Sequence, residues 1–473
     1  FKEKKFVQVD TETEGFFDFS NRVLLIQVGD YEEQFVINFQ QLSKKDKDRL
    51  FEFLDTKICI FANAKFDLLM LKREGYYLNK VVDVFLMSCL LNAGLEEENN
   101  LAAIVSKWAD VNLPKNEQKS FHKGQKFFTE SQLRYAANDV KYLQICYDKM
   151  YRKLIEEGMA NDNPFDIYTV MGLEFAAMHS LIEMEWNGLM LDTNKWKEVK
   201  IRINQDISLI YKSIEDEVVA SKQLQKYVVK THDLFEGDKT AVAINWASPK
   251  QKLAVLKKLV PSIKATDEKT LSKHKDVKLI SLLLKLSSLA KLKTSFSDKM
   301  ETYINPVTGR IHQDLWQILS TGRMSSSHPN MQQIPSRSEL GGIMRSAFVA
   351  KPGYVMIGGD YSGCELRVIA ELSKDPVWVN AFKENKDLHS ELCALTFGIP
   401  ISDVKKPTPF KHDIKYRDVQ KTINFGLAYG MSEHKLADTI EVSTETAREI
   451  IAKFFNAVPM VEQFLSKCGK FSA

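Results

Sequence analysis

The sequence predicts a multi-domain α/β protein, and three observations lead to that prediction. First, a chain of 473 residues has room for about three domains of ~150 residues each. Second, alternating apolar residues near the N-terminus predict strands followed by helices, whereas helical patterns dominate from residue 165. Third, a short apolar run directly before Asp360 predicts a further strand that ends in a carboxylate.

Composition excludes several classes of protein. The apolar fraction of 44% with 27% charged residues is typical of a folded soluble chain, and no apolar run approaches the ~20 residues of a membrane span. A net charge of +3 is too small by itself to indicate a nucleic-acid partner. The six cysteines are scattered without a Cys-x-x-Cys pair, so we expect reduced core thiols rather than a zinc site or disulfides.

Carboxylates recur at regular spacings in the first 150 residues. The segment "KKFVQVDTETEG" alternates like a strand and places Asp10 and Glu12 on one face, and "RVLLIQVGD" and "QFVIN" extend it into a meander. Asn63 and Asp67, and later Tyr135 and Asp139, are each four residues apart in helical patterns. Any one pair alone is more often a solvated surface feature. Together they are a ligand set suited to two divalent metal ions.

The segment from residue 354 predicts a buried strand, "YVMIGG", that ends at Asp360 and is followed by a helix, "SGCELRVIAEL". A carboxylate at the end of a buried strand is a candidate metal ligand. The alternative is a helix N-cap, because Asp is a favoured capping residue and Ser362 could serve equally well.

In "RDVQKTINFGLAYG", Arg417, Lys421, Phe425 and Tyr429 recur at every fourth position and therefore share one face of a helix. An amphipathic core helix would explain the two aromatic residues. It would not explain the two cations, because buried cations are rare unless they are paired. A ligand with a polyanionic end and a flat ring fits the stripe, which describes a nucleoside triphosphate.

These motifs resemble two known sets. Asp10-Thr-Glu12, Asn63-x-x-x-Asp67 and Tyr135-x-x-x-Asp139 are similar, in this order, to the motifs of proofreading 3'-5' exonucleases. Thr321-Gly322-Arg323, Asp360-Tyr361-Ser362-x-x-Glu365 and the stripe that starts at Arg417 resemble family A DNA polymerases of the large-fragment type. The resemblance implies an RNase H-like 3'-5' exonuclease domain followed by a right-hand polymerase of thumb, palm and fingers with an incomplete palm. The implied domains are 1–155 (exonuclease), 165–310 (start of the polymerase domain and thumb), 311–400 (first part of the palm) and 401–473 (first part of the fingers).

The resemblance also implies roles for individual residues. In the exonuclease site, two Mg²⁺ or Mn²⁺ ions would be held by Asp10, Glu12, Asp67 and Asp139, while Tyr135 orients the attacking water and Asn63 lies near the substrate. In the polymerase site, Asp360 would bind both catalytic metals. The implied contacts to a deoxynucleoside triphosphate are Glu365, His389, Arg417, Lys421, Phe425 and Tyr429. The implied contacts to primer-template DNA are Arg323, Asn330, Gln332, Arg337 and the thumb lysines Lys291 and Lys293.

One departure from the family is serious. The family's second catalytic carboxylate lies in a His-Asp-Glu motif well downstream of the fingers helix, and the sequence ends at Ala473 before such a motif. His412-Asp413 and His232-Asp233 do not match its context. We therefore expect that this chain alone does not polymerise, either because it is truncated or because a second chain supplies the rest of the palm.

The leading hypothesis is a template-directed DNA polymerase with proofreading that uses two metal ions at each site. The alternatives are a stand-alone 3'-5' exonuclease and a DNA-binding subunit of a larger complex, although the intact carboxylate set argues against the last. We expect no membrane partner. The chain opens on Phe1 without a signal peptide, so we expect a bacterial or phage-infected cytoplasm or an organelle matrix, and not secretion.

Overall fold

The computed structural model describes residues 1–114, 117, 119–160, 167–233, 237–336, 338–409 and 414–471. Two compact units divide it, Phe1–Met356 and Ile357–Ala473. Arg337 and the His412-Asp413 pair, which the sequence analysis singles out, lie outside the described residues. A search of the described helices found none with the length and apolar character that a bilayer crossing requires.

A five-stranded mixed sheet lies at the centre of the N-terminal part of the first unit. Its strands run in the order β3-β2-β1-β4-β5. The first three pair antiparallel, which confirms the predicted meander, while β4 and β5 continue the sheet in parallel. The bounds are β1 (Phe6–Thr13), β2 (Val23–Gly29), β3 (Gln34–Asn38), β4 (Ile58–Phe61) and β5 (Val81–Asp83).

Helices pack against this sheet and share one apolar core with it. Phe61, Leu68 and Met70 are fully buried in that core, and Met178 and Ile182 join it from a helix beyond residue 165. That helix is therefore packed on the sheet domain rather than separate from it. The helices are α1 (Lys44–Asp55), α2 (Ala64–Arg73), α3 (Val84–Leu91), α4 (Leu101–Ala109), α5 (Glu130–Lys141), α6 (Leu143–Ala160) and α7 (Ile167–Asn187).

The rest of the first unit contains longer helices and short hairpins. The helix Lys278–Leu292 is amphipathic, with Leu279, Ile280 and Leu283 buried and Lys285 exposed. The elements are β6 (Met190–Leu191), α8 (Thr193–Ala220), β7 (Val228–Asp233), β8 (Gly237–Val242), α9 (Pro249–Leu259), α10 (Glu268–Ser272), α11 (Lys278–Leu292), β9 (Asp314–Trp316), β10 (Ser325–Ser327), α12 (Glu339–Ser346) and β11 (Phe348–Val349). Short 3₁₀ helices lie at Phe39–Gln41, Lys222–Tyr227, Met300–Tyr303 and Met331–Gln333, and a π-helical turn lies at Lys293–Ser297.

The second unit is helical among its described residues, and its helices enclose a core around Trp378, Leu392, Ile423 and Phe454. Asp375 is fully buried in this unit. Its carboxylate is satisfied there because it accepts hydrogen bonds from the backbone N–H groups of Val377, Trp378 and Met460. The helices are α13 (Cys364–Ser373), α14 (Pro376–Lys383), α15 (Leu388–Phe397), α16 (Tyr416–Ala428), α17 (Glu433–Ile440), α18 (Thr444–Ala457) and α19 (Pro459–Phe471), with a single turn at Ile401–Asp403.

The prediction of a buried strand before Asp360 is wrong. Residues 354–360 have no regular structure, and Val355 and Ile357 are 80% and 92% exposed. A strand needs a neighbour to pair its backbone groups, and this segment has none among the described residues. The capping alternative is also wrong, because the N-cap of α13 is Gly363, at φ +61° and without a side-chain cap.

The cysteines are all unpaired, as expected, but two of them are not core thiols. Cys59, Cys89, Cys146 and Cys393 are buried, and burial raises the pKa of each to about 12. Cys364 and Cys468 are exposed on α13 and α19.

The Asp375→Ala substitution tests the packing of the second unit. It removes three buried hydrogen bonds from backbone donors, so we expect it to destabilise this unit by about 2 kcal/mol. The Asp267→Ala change removes the cap of α10, which is exposed, and should cost about half as much. Denaturant unfolding of both variants, followed by near-UV circular dichroism, measures the difference. Equal costs would show that the burial of Asp375 is unimportant.

Candidate active sites

Three carboxylates meet beside the end of β1. Oxygen atoms of Asp10, Glu12 and Asp139 all lie within 4.8 Å of one another, and this is the one group of three or more potential metal ligands found among the described residues. The strand places Asp10 and Glu12 on the same face because its side chains alternate. Asp139 comes from α5, more than 120 residues away along the chain. Oxygen ligands in this arrangement suit a hard divalent cation.

The fourth carboxylate predicted for this site, Asp67, lies next to the group rather than within it. Thr11 donates a 2.6 Å hydrogen bond to Asp67 from the buried side of β1. Asp67 stands in the first turn of α2, and the start of that helix is held by Asp83, which accepts the backbone N–H groups of Asn63 and Ala64 at 2.9 Å. The Asn63 side chain is exposed at this helix start.

A capping box fixes the start of α5. The Thr129 side chain accepts the backbone N–H of Gln132, and the Gln132 side chain accepts the backbone N–H of Thr129. Tyr135 and Asp139 follow one turn apart on the face towards β1, and the Tyr135 hydroxyl is hydrogen-bonded to Asp139. This brings the phenol beside the carboxylate group, as the four-residue spacing predicts.

The ionised forms of the four carboxyl groups at this site are destabilised, and their pKa values are raised. Burial raises the pKa of Asp10 to about 7, and burial together with the charges of Asp10, Asp139 and Asp67 raises the pKa of Glu12 to about 10. Burial followed by repulsion from Asp10 raises the pKa values of Asp67 and Asp139 well above the usual range. The main causes of these shifts include no described lysine or arginine. A bound cation would supply the missing positive charge.

A buried ion pair connects α2 to later parts of the first unit. Lys65, two residues before Asp67, pairs with Glu185 of α7 and donates a 2.8 Å hydrogen bond to the Leu315 carbonyl of β9. Glu185 also accepts the backbone N–H of Leu315 at 2.5 Å. The side chain of Trp316 on the same strand meets the ring of Phe85 at 5.4 Å. Helix α2, which carries Asp67, is therefore fixed against both α7 and the β9–β10 hairpin.

A second candidate site is a cationic cavity in the second unit. Its volume is about 470 Å³, within the range of small-molecule sites. Residues from helices α13 to α16 and from the segments before α13 and α15 line it, and four of them are cations: Arg367, Lys386, Arg417 and Lys421. His389 also lines it, and its ring lies 5.8 Å from the ring of Phe425. The cavity is therefore suited to a small polyanion.

Arg417 is not free in this cavity. Its Nε and one terminal nitrogen donate to the two carboxylate oxygens of Asp387 at 2.6 and 2.9 Å. The hydrogen bond from Arg417, supported by one from Ser390, lowers the pKa of Asp387 to about 2. The fork of Arg417 retains N–H groups beyond those two bonds, so it can also face an anion.

The stripe on α16 is placed as the sequence predicts for its first three members. Lys421 is exposed and Arg417 and Phe425 are half-buried, while the opposite face of the helix is buried. Tyr429 is exposed and caps the C-terminal end of α16 rather than lying within it. Glu365 is exposed in the first turn of α13, and Asp360 is exposed before it without regular structure.

The predicted DNA contacts in the first unit are spread over two places. Arg323 and Gln332 are exposed near the β9–β10 hairpin, and the buried Oδ1 atom of Asn330 has no hydrogen-bond donor among the described residues. Lys291 is exposed at the end of α11. Lys293 donates to Asn204 at 2.6 Å and lies 3.7 Å from Asp298, so it is partly engaged within the protein.

Comparison with known families identifies both halves of the chain. Residues 1–155 match the 3'-5' exonuclease family model, and residues 209–473 match the model of DNA polymerase family A. The chain belongs to the family A DNA polymerases. The predicted class is thereby confirmed, as is the order of an exonuclease domain followed by a polymerase domain.

Similar proteins agree with this assignment. DNA polymerase I of Aquifex aeolicus is 30% identical over 472 residues, which cover 95% of this chain and 74% of that protein. DNA polymerase I of Borreliella burgdorferi is 28% identical over 490 residues, covering 98% of this chain and 49% of that protein. The solved structure of the POL domain of Pol1 from M. smegmatis in complex with DNA primer-template and dNTP matches this polymerase chain with a TM-score of 0.75. It is 23% identical, and the match covers 98% of this chain and 74% of that one.

Several residues at these sites were not found by sequence reasoning. Thr11, Asp83 and Asp387 each fix a neighbouring group through a hydrogen bond or ion pair. Thr11 could have been suspected because it stands between two carboxylates. Asp83 and Asp387 carry no comparable signal, since their partners are 20 and 30 residues away.

The Thr11→Val substitution tests the support of Asp67. It keeps the shape of the side chain and removes the hydrogen bond, so the carboxylate loses its orientation and we expect about ten-fold slower excision of a DNA 3' end. The control is Thr13→Val on the same strand, which removes a hydrogen bond that the Thr13 hydroxyl donates to the Gly15 carbonyl. Single-turnover excision rates measure both. A rate for Thr11→Val equal to that of the control would rule out this role.

A metal-free pH series tests the repulsion between the carboxylates. Their pKa values are higher in the folded protein than in the unfolded chain, so the folded state binds more protons and loses stability as the pH rises from about 4 through 7 and towards 10. With a chelator present, we expect the unfolding midpoint of the exonuclease domain to fall by about 5 °C between pH 5 and pH 8. Magnesium should reverse that fall at pH 8.

The matched control for this series is the double variant Asp10→Asn, Glu12→Gln, which keeps the shape and removes both charges. Its unfolding midpoint should change less with pH and respond less to magnesium. An unchanged pH dependence in the variant would mean that these two groups do not titrate as described.

Proposed function

We propose that this chain removes nucleotides from the 3' end of a DNA primer and, in a separate site, binds the deoxynucleoside triphosphate used in template-directed synthesis. The group of Asp10, Glu12 and Asp139 carries the first part of the proposal. Together with Asp67 it would hold two Mg²⁺ or Mn²⁺ ions. When bound, such ions activate a water molecule and stabilise the leaving 3' oxygen.

The protein side chains would perform the remaining steps of excision. Tyr135, hydrogen-bonded to Asp139, would orient the attacking water beside the scissile phosphate. Asn63 is exposed at the start of α2 and would contact the terminal nucleotide. Thr11 and Asp83 would keep Asp67 and its helix in place during the reaction.

The cationic cavity of the second unit supports the proposed nucleotide site. Arg417, Lys421 and His389 would contact the phosphate groups, and Phe425 would pack on the sugar and base. Tyr429 would lie beside the templating pair, and Glu365 would exclude a ribose 2' hydroxyl. These assignments follow the family resemblance, and the charge and volume of the cavity support them.

Contacts to the DNA duplex would come from the first unit. Arg323, Asn330 and Gln332 would meet primer or template, and Lys291 and Lys293 would contact phosphates without reading sequence. Binding through such contacts should weaken steeply as salt rises. A cytoplasmic or organelle-matrix location would fit these substrates.

We further propose that polymerisation requires a second carboxylate beside Asp360 from residues outside the described part. Asp360 does not belong to any group of potential metal ligands among the described residues. The neighbouring segment exposes Tyr354, Val355 and Ile357, which is unusual for apolar side chains and would suit pairing with further strands of a palm. Such strands would come from the same protein or from a second chain.

A labelled primer-template assay tests these proposals together. With Mg²⁺ and this 473-residue chain, we expect the primer to shorten both with and without the four deoxynucleotides. The Asp10→Ala, Glu12→Ala variant should lose shortening by at least about a thousand-fold while it binds the duplex normally.

The control for that assay is Glu3→Ala, Glu52→Ala, which removes two exposed carboxylates from the same domain. Shortening that survives in the Asp10, Glu12 variant would refute the metal site. Extension of the primer by this chain alone would refute the need for a further carboxylate.

A further inference from the structure

Two amide side chains are buried behind the nucleotide cavity without an evident packing reason. Gln420 and Asn424 lie one turn apart on α16 and are 0% and 1% exposed. Buried polar side chains persist when they are hydrogen-bonded, and a short series of bonds is the simplest explanation for this pair. The family resemblance assigns roles to the exposed face of α16 but none to these two residues.

The two amides form a chain that ends on His389. Gln420 Nε2 donates to Asn424 Oδ1 at 2.6 Å, and Asn424 Nδ2 lies 2.8 Å from His389 Nδ1. Each amide has one donor end and one acceptor end. Because the oxygen of Asn424 accepts from Gln420, its NH₂ group faces the imidazole, and an NH₂ group can only donate. With the amides oriented in this way, His389 Nδ1 is the unprotonated, accepting nitrogen.

We propose that Asn424, oriented by Gln420, is a positioning residue that fixes His389 with its hydrogen on Nε2, so that the ring presents an N–H donor to the phosphate groups of a bound nucleotide. The tautomer follows from this orientation of the two amides, and the role towards phosphate rests on the proposed nucleotide site. Nε2 is on the opposite edge of the ring from Asn424, and His389 lines the cavity together with Arg417 and Lys421.

The charges around His389 make the tautomer matter. Burial lowers the pKa of His389, and Arg417 and Lys421 lower it further, against the opposing effect of Asp387. The lowered pKa favours the neutral ring, which carries a single N–H. With the hydrogen on Nδ1, the nitrogen facing the phosphates would be an acceptor and would repel them.

Selective ¹⁵N labelling of histidine in the full chain tests the tautomer directly. The resonance of His389 is identified by its loss in His389→Gln. In the wild-type protein without nucleotide, we expect a protonated Nε2 and an unprotonated Nδ1. A protonated Nδ1 would overturn the inference, because it would mean that Asn424 accepts rather than donates.

Two substitutions change the donor without removing the histidine. Asn424→Asp replaces the NH₂ group by an acceptor, so we expect the hydrogen to move to Nδ1 or the ring to become cationic near neutral pH. Gln420→Leu leaves Asn424 in place but frees its amide to turn, so both tautomers should appear; it also removes a buried oxygen that has no partner among the described residues. The control is Asn380→Asp, the same change at an exposed position on α14, which should leave the spectrum of His389 unchanged.

Binding of dTTP with Mg²⁺, measured by calorimetry, connects the tautomer to function. We expect Gln420→Leu to weaken binding by about three-fold and Asn424→Asp by about ten-fold at pH 8, with Asn380→Asp unaffected. Lowering the pH should restore binding to Asn424→Asp, because a cationic ring regains its Nε2 hydrogen. Weak binding by Asn424→Asp that stays unchanged at lower pH would refute the positioning role.

The two proposals fail in different ways. If the wild-type chain does not bind dTTP, the nucleotide site and the role of His389 towards phosphate are both refuted. If the wild type binds dTTP and Asn424→Asp binds it equally at pH 8, the nucleotide site stands and the positioning role is refuted.

Discussion

The burial of four neighbouring carboxylates, and for three of them their mutual repulsion, is the constraint on which the exonuclease half of this protein depends. Asp10 and Glu12 are brought together by one strand, and Asp139 is added by a helix whose start is fixed by a capping box. No described cation is among the main influences on these carboxylates, so the surrounding fold has to hold them in place. The Lys65–Glu185 pair and the bonds accepted by Asp83 do this for α2. A site held in this way is ready for divalent cations and is unfavourable without them.

The cationic cavity of the second unit concentrates positive rather than negative charge. Four cations line it, and Arg417 is held there by two hydrogen bonds to Asp387. The buried side chains of Gln420 and Asn424 form a hydrogen-bonded series that ends on His389, which also lines the cavity. In both places, side chains outside the group of candidate ligands hold the members of that group in position.

Local periodicity explains what the sequence could predict. Spacings of two and four residues place Asp10 with Glu12, Tyr135 with Asp139, and Arg417 with Lys421 and Phe425, and each of these sets lies on one face in the structure. Features that depend on distant partners could not be predicted in this way, as for Asp387 and for Asp67, which is held by Thr11 beside the main carboxylate group. The strand before Asp360 was predicted wrongly because an apolar run forms a strand only when another strand is available to pair with it.

Binding of Mn²⁺, followed by electron paramagnetic resonance of the free ion, is the direct test of the carboxylate metal site. We expect the wild-type chain at pH 8 to bind about two ions tightly and Asp10→Asn, Glu12→Gln to lose them. We also expect protons to be released as the ions bind, because the carboxylates must ionise. Equal Mn²⁺ binding by the wild type and the variant would contradict the claim that these carboxylates form a metal site.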